Sequence, residues 1–451
     1  MFFVAGFCYN TPMRKKGLFI LVIFMFIISA AVIGSNTKAE SAEGCVTDKC
    51  HADLLKGKDV HPVAEGCDTC HQEIAKPHPQ KGKKTFKLMQ DVPSLCYMCH
   101  SPFGKQPHVH PPVKDGMCTT CHNPHSSNQS KLLVQPLKDL CLMCHPEKVD
   151  HKVVHGPTSA GACTACHNPH ESPNDKLLVK PQPDLCLTCH TDMQELLKEK
   201  DVHPAISMGC TACHNPHGSS YPKMLPAEGA NVCFQCHSGI QDTVKKATVK
   251  HPPVMSQKGC VTCHSPHASN NEKLLLRPQE NLCLGCHTNI ITKSMTDIHG
   301  AIKAGGCTAC HNPHGSIYFK LLKEEFPADF YVSYNDKEFA LCFTCHDRDL
   351  LRFPDTTYAT NFRDGNVNLH YLHVHRKFKG RSCIACHTPH GTTLPKMLAE
   401  RITFGQWSFS LNYKKTATGG SCTPGCHKTQ SYDRKTPVHS PGSIEMPSDE
   451  N

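Results

Sequence analysis

The chain has 451 residues, with 31 Cys and 34 His against one Trp, 19 Phe and 10 Tyr. Only 39% of residues are hydrophobic even with the cysteines counted, and 34 Pro and 29 Gly are scattered among them. That leaves too little aliphatic and aromatic surface for the several packed cores such a length ordinarily implies, which excludes a plain α/β enzyme and asks for an interior not made of side chains.

The first feature along the chain is a leader. Arg14, Lys15 and Lys16 precede an apolar run from Leu18 to Ile33, and polar Ser35, Asn36 and Thr37 follow. This is the layout of a secretory signal peptide over residues 1–39, with cleavage after Gly34 or Ala39. Left uncleaved, the run is barely long enough to anchor the chain in a membrane. Cys8 lies ahead of it, outside the mature region 40–451.

Every other cysteine belongs to one pattern. Thirteen times the chain reads Cys-x-x-Cys-His: at Cys67, Cys70 and His71; Cys96, Cys99 and His100; Cys118, Cys121 and His122; Cys141, Cys144 and His145; Cys163, Cys166 and His167; Cys186, Cys189 and His190; Cys210, Cys213 and His214; Cys233, Cys236 and His237; Cys260, Cys263 and His264; Cys283, Cys286 and His287; Cys307, Cys310 and His311; Cys342, Cys345 and His346; and Cys383, Cys386 and His387. Looser versions flank the set, Cys45, Cys50 and His51 with four intervening residues, and Cys422, Cys426 and His427 with three. Cys-x-x-Cys-His is the attachment signature of c-type haem. Positions i, i+3 and i+4 of one helical turn share a face, so two sulfurs can hold the porphyrin vinyl carbons while the imidazole meets the iron from the same side. Zinc sites need no His after each second Cys, disulfide frameworks place none there, and iron–sulfur clusters show three closely spaced cysteines.

Fifteen histidines serve as these proximal ligands, and nineteen remain. One set ends the sequence Asn/Ser/Thr-Pro-His after the second motif of each pair: His125, His170, His217, His267, His314 and His390. Another lies six to nine residues before that motif: His61, His110, His155, His203, His251, His299 and His375. His78 and His439 extend the series at its ends, giving one candidate sixth ligand per iron. His108, His151, His370 and His373 are the surplus, since His110, His155 and His375 match the eight-residue spacing of His299. The 14 Met residues occupy no fixed place in the repeat, so bis-His ligation with low potentials is expected.

The motifs form an array of seven pairs and a terminal single motif. From Cys96 the first motifs recur at steps of 45, 45, 47, 50 and 59 residues, each unit ending in Lys-Leu-Leu or a variant. The expected fold is mostly coil with short α-helices, an extended repeat array with the haems as its core. Each motif should give a short helix, stopped in most units by the Pro of Asn-Pro-His, and each Lys-Leu-Leu another helical turn. Trp407, Phe409, Leu411 and Tyr413 alternate, so a small β element precedes Cys422. The formal charge of +9 falls once the leader leaves and each haem brings two propionates, which argues against nucleic acid as a partner.

These paired motifs with His-Asn-Pro-His resemble the doubled-motif multihaem cytochromes c, and are similar to the decahaem conduits that electron-exporting bacteria seat in outer-membrane porins. The resemblance runs from about Cys45 to His427. It implies about fifteen covalent haems c, export to the periplasm or outer membrane, or to the cell exterior, and anaerobic or extracellular respiration. It also implies redox proteins, a porin and other cytochromes as partners, with membrane contact only through an uncleaved N-terminal segment. The function expected is electron transfer by hopping between haems, without catalysis. Two alternatives stand beside it: a multihaem reductase of a small nitrogen, sulfur or metal oxyanion substrate, which needs one iron with a vacant position, and a subunit of an extracellular cytochrome filament.

Overall fold

The structure is a computed structural model, and it describes residues 44–440 and 444. The expected leader and Cys8 lie outside the described residues. Two compact units are present, one built from residues up to 90 with 124–128, the other from 91–123 and from 129 onward. Among the described residues no helix is long and apolar enough to cross a membrane.

Secondary structure is sparse, as the composition demands. The first motif of most pairs sits on a short α-helix: Ser94–Tyr97, Leu137–Leu142, Asp184–Leu187, Asn231–Phe234, Gln279–Leu284 and Ala340–Phe343. Pro93, Pro136, Pro183 and Pro278 stand immediately ahead of four of them, where a fixed φ and a missing N–H cost nothing. The second motif takes a single 3-10 turn, as at Cys163–Ala165 and Cys307–Ala309, or one α turn at Cys118–Cys121. A glycine of positive φ often precedes it. At Gly161, φ is +73° and a Cβ would fall 2.5 Å from Lys138 Cβ, so the second motif closes tightly on the helix of the first.

The two irregular motifs depart from the expected helices. Cys50 closes on Thr47 through paired backbone hydrogen bonds and His51 takes a left-handed φ of 52°. Cys422 ends the strand Gly419–Cys422. Their longer spacers break the i, i+3, i+4 register that a helix would need.

Short antiparallel strands join successive repeats. In the larger unit His108–Val109 pairs with Glu171–Ser172, Val153–Val154 with Gly218–Ser219, Asp201–Val202 with Ala268–Ser269, and Asp297–Ile298 with Gly391–Thr392. In the smaller unit Asp59–Val60 pairs with Ser126–Ser127. Each pairing joins the segment before one second motif to the segment just after the next Asn/Ser/Thr-Pro-His.

Among the described residues the hydrophobic core cluster lies towards the C-terminal end, where Phe339, Leu351 and Val374 are buried against Phe326, Val332, Tyr334 and Phe343. The expected β element is there too. Trp407–Ser410 pairs with Arg401–Phe404, and Lys414–Lys415, Gly419–Cys422 and Gln430–Asp433 make a three-stranded sheet.

The Lys-Leu-Leu segments are not helical turns. Lys131 and Leu132, Lys176 and Leu177, Lys273 and Leu274, and Lys320 and Leu321 all take left-handed φ values between 51° and 61°, as do Lys223 with Met224 and Lys396 with Met397. Non-glycine residues seldom adopt this region, and the reason they do so here lies in the histidines.

Candidate metal centres

At the second motif of the six later pairs the proximal imidazole donates its Nδ1–H to the carbonyl of the left-handed lysine nine residues on: His122 to Lys131 at 2.9 Å, His167 to Lys176 at 2.9 Å, His214 to Lys223 at 2.8 Å, His264 to Lys273 at 2.8 Å, His311 to Lys320 at 2.9 Å and His387 to Lys396 at 3.1 Å. The next carbonyl takes the backbone N–H just after the motif, as from Asn168 to Leu177 and Asn312 to Leu321. Two consecutive left-handed residues turn both carbonyls inward. The bond to Nδ1 leaves Nε2 as the free lone pair, the tautomer a metal needs.

Thirteen proximal rings each face a second imidazole, with centroids 5.9–6.3 Å apart. Two imidazoles trans to one another on a metal ion, with metal–nitrogen bonds of about 2 Å, place their ring centres roughly 6 Å apart. The donor sets therefore fit a haem iron held between two histidines.

The partners follow a rule. His51 faces His78 and His71 faces His125 in the smaller unit. In the larger unit the ring after each Asn/Ser-Pro reaches back to the second motif of the preceding pair: His170 faces His122, His217 faces His167, His267 faces His214 and His314 faces His264. His390, after Thr-Pro, does the same to His311. The ring ahead of each second motif reaches forward to the first motif of the following pair: His110 faces His145, His155 faces His190, His203 faces His237, His251 faces His287 and His299 faces His346.

The inter-repeat strands carry both kinds at once. His155 N–H donates to the His217 carbonyl at 2.9 Å, and the same backbone bond joins His110 to His170, His203 to His267 and His299 to His390. His61, in the smaller unit, makes it to His125 at 2.8 Å. The forward ring is anchored by its own Nδ1–H, which His155 gives to the Pro216 carbonyl at 2.9 Å and His251 to Pro313 at 3.0 Å. His100 closes its motif by a backbone bond to the Cys96 carbonyl. Burial, with repulsion from neighbouring imidazoles and, for His217 and His267, a lysine, lowers the pKa of His217, His267 and His314 from the ordinary imidazole value.

Two expected positions are corrected. His370, not His375, faces the last regular motif, 6.3 Å from His387, with its Nδ1 against Thr360 Oγ1 at 3.0 Å. His375 cannot serve: its Nε2–H donates to the Leu351 carbonyl at 2.8 Å, and its faces are covered by Tyr371 at 3.8 Å and Tyr334 at 4.0 Å. His439 gives its Nδ1–H to the Asp364 carboxylate at 2.9 Å and, among the described residues, faces no other imidazole at ligand-pair spacing. Of the other surplus rings, His108 belongs to the strand paired with Glu171–Ser172, and His151 lies beside Gly218.

The cysteine sulfurs follow one another in chain order. Within pairs Cys141 meets Cys163, Cys186 meets Cys210, Cys233 meets Cys260, Cys283 meets Cys307 and Cys342 meets Cys383, each in hydrogen-bonding contact. Between pairs Cys121 and Cys144, Cys166 and Cys189, Cys263 and Cys286, and Cys310 and Cys342 lie within electrostatic reach of each other. Cys386 lies within electrostatic reach of Cys422 and Cys426. Cys45 and Cys67 make the same contact in the smaller unit.

One recurring residue escapes the motif reading. A hydroxyl two positions after the distal histidine, at Ser172, Ser219, Ser269, Ser316 and Thr392, is buried and donates to the carbonyl six residues on at 2.5–2.7 Å. It ties down the loop that presents the lysine carbonyl. Its regular recurrence was the available signal.

The family model for the doubled CXXCH motif matches seven segments, residues 61–105, 110–150, 155–195, 203–242, 251–292, 299–350 and 375–405, together well over half of the chain. No curated protein matches the sequence.

Proposed function

Because the chain belongs to the doubled CXXCH motif family and is a multihaem c-type cytochrome with about fifteen covalent haems, we propose that it is an electron carrier whose irons are closed on both faces by histidine. The observation that supports this is the set of thirteen imidazole pairs at 5.9–6.3 Å. Each pair would hold a haem iron between two imidazoles, which would leave no coordination site there for a substrate. The haems supply reversible one-electron couples whose potentials follow the axial ligands. The protein's residues fix those ligands. Lysine carbonyls set the proximal tautomer, prolyl carbonyls orient distal rings, and the strand pairs lock two distal histidines side by side. Within five of the pairs the sulfur contacts bring neighbouring attachment edges together, an arrangement that suits a stepwise electron path.

Export to the periplasm or outer membrane, with redox proteins, a porin and other cytochromes as partners, accords with the apolar run after Arg14–Lys16. Cell fractionation tests it, and recovery in the cytoplasm would end that reading.

The test of function is spin counting by electron paramagnetic resonance on the oxidised holoprotein, alongside film voltammetry with nitrite, hydroxylamine or tetrathionate. Low-spin iron throughout with no catalytic current is the expected result. One stoichiometric high-spin iron with a catalytic wave would put a reductase in its place.

A further inference from the structure

Beyond His390 the residues up to 451 hold the motif of Cys422, Cys426 and His427 but no further Asn/Ser/Thr-Pro-His to reach back to His387. The chain solves this locally. Helix Leu369–Val374 is capped by buried Asn368, whose carboxamide oxygen accepts from the His370 and Tyr371 N–H groups and whose Nδ2 donates to the Leu350 and Phe353 carbonyls. His370 from the first turn of this helix faces His387.

His373 stands three residues on, hence on the same face of the helix. Its Nδ1–H donates back to the Leu369 carbonyl at 2.6 Å, leaving Nε2 as the lone pair, and its ring lies along Phe362 at 5.8 Å. His427, Arg381 and Arg376 stand within electrostatic reach of it. The terminal motif lies on this side, since the Phe362 ring beside His373 also meets Tyr432 edge-on at 4.9 Å, and Tyr432 pairs with Gly420 in the strand that ends at Cys422. His439, the other ring near this end, is held by Asp364.

We propose that His373 is the sixth ligand of the terminal haem attached at Cys422 and Cys426, so that one helix carries the distal ligands of the last two haems at i and i+3. This rests on the bis-His reading of the other sites. It replaces inter-repeat ligation by a self-contained cap, as repeat arrays require at their ends.

The test uses the full-length holoprotein, with haem content measured first by mass and iron analysis. Wild type should be low-spin throughout. His373→Ala should convert one haem's worth of iron to the high-spin form, which added imidazole returns to low spin. His439→Ala and His375→Ala should leave the spin count unchanged. His373→Met should keep that iron low-spin and add the thioether–iron absorption band, which also answers the question should the alanine variant fail to mature. An unchanged count in His373→Ala, or a high-spin iron in His439→Ala, overturns the proposal while leaving the bis-His reading intact. Many high-spin irons in wild type would instead overturn the bis-His reading.

Discussion

At the second motif of the six later pairs a lysine carbonyl decides what the histidine can do. With Nδ1–H committed to Lys176, for example, His167 presents only Nε2, and the strain of two left-handed residues, on the order of 1 kcal/mol or more apiece, is set against a fixed tautomer. Across the metal position from His167 stands His217. His217→Ala should therefore open a single iron, moving about one fifteenth of the spins from low to high spin at unchanged haem content, read by paramagnetic resonance. The proximal residues and the Asn/Ser/Thr-Pro-His set are legible in the sequence because they recur. The choice of His370 over His375 is not, since it depends on Tyr334 and Leu351, which lie far off in the chain and cover His375. Nor do Lys176 and Leu177 announce a left-handed turn: both are good helix formers, and only the imidazole they serve overrides that preference.

Among the elements, the C-terminal sheet depends on one carboxylate. Asp364, 3% exposed, accepts backbone N–H bonds from Asp433, Val438 and His439 and the side-chain bond from His439. Burial alone would raise its pKa, but these four bonds outweigh it and hold the carboxyl below its ordinary 3.8. A depressed carboxyl pKa stabilises above the ordinary value, and the contribution is lost as pH falls through the folded-state value. Residues 433–439 should thus stay attached at neutral pH and loosen below about pH 4. Asp364→Ala should loosen them at pH 7, by about 2–3 kcal/mol of local opening free energy. Amide hydrogen exchange of Val438 and His439 checks both. Alternation over Trp407–Tyr413 made the strand readable, whereas the link from Asp364 to Asp433 joins residues with no local pattern between them.

At the scale of the molecule, the interior is scarcely made of side chains. Outside the cluster around Phe339 the buried residues of the repeats are mainly hydroxyls and small residues such as Ser172, Ser219, Ala268 and Ser316. Few apolar side chains are available to offset the roughly 1–2 kcal/mol of backbone entropy lost per ordered residue. The chain made without haem attachment should accordingly lack cooperative unfolding and most of its dichroism below 250 nm (a wavelength of about that order marks peptide absorption), while the holoprotein keeps both. A folded apo chain would mean that the two-residue strands suffice, contrary to the low stability of such short pairings. That deficit was plain from composition. What composition could not convey is that no internal repeat completes its own ligand sets, because the decisive contacts join residues some fifty positions apart, as from His167 to His217.

The strand joining His155 to His217 has a bearing on ancestry. An internal unit lends one histidine to the unit before it and one to the unit after, and borrows one from each. A duplicated unit spliced between two others would repeat this exchange on both sides and leave no iron short. Array length can then grow or shrink by whole units during gene duplication, while the two ends, with their irregular spacers and their own ligand arrangements, have to be inherited intact.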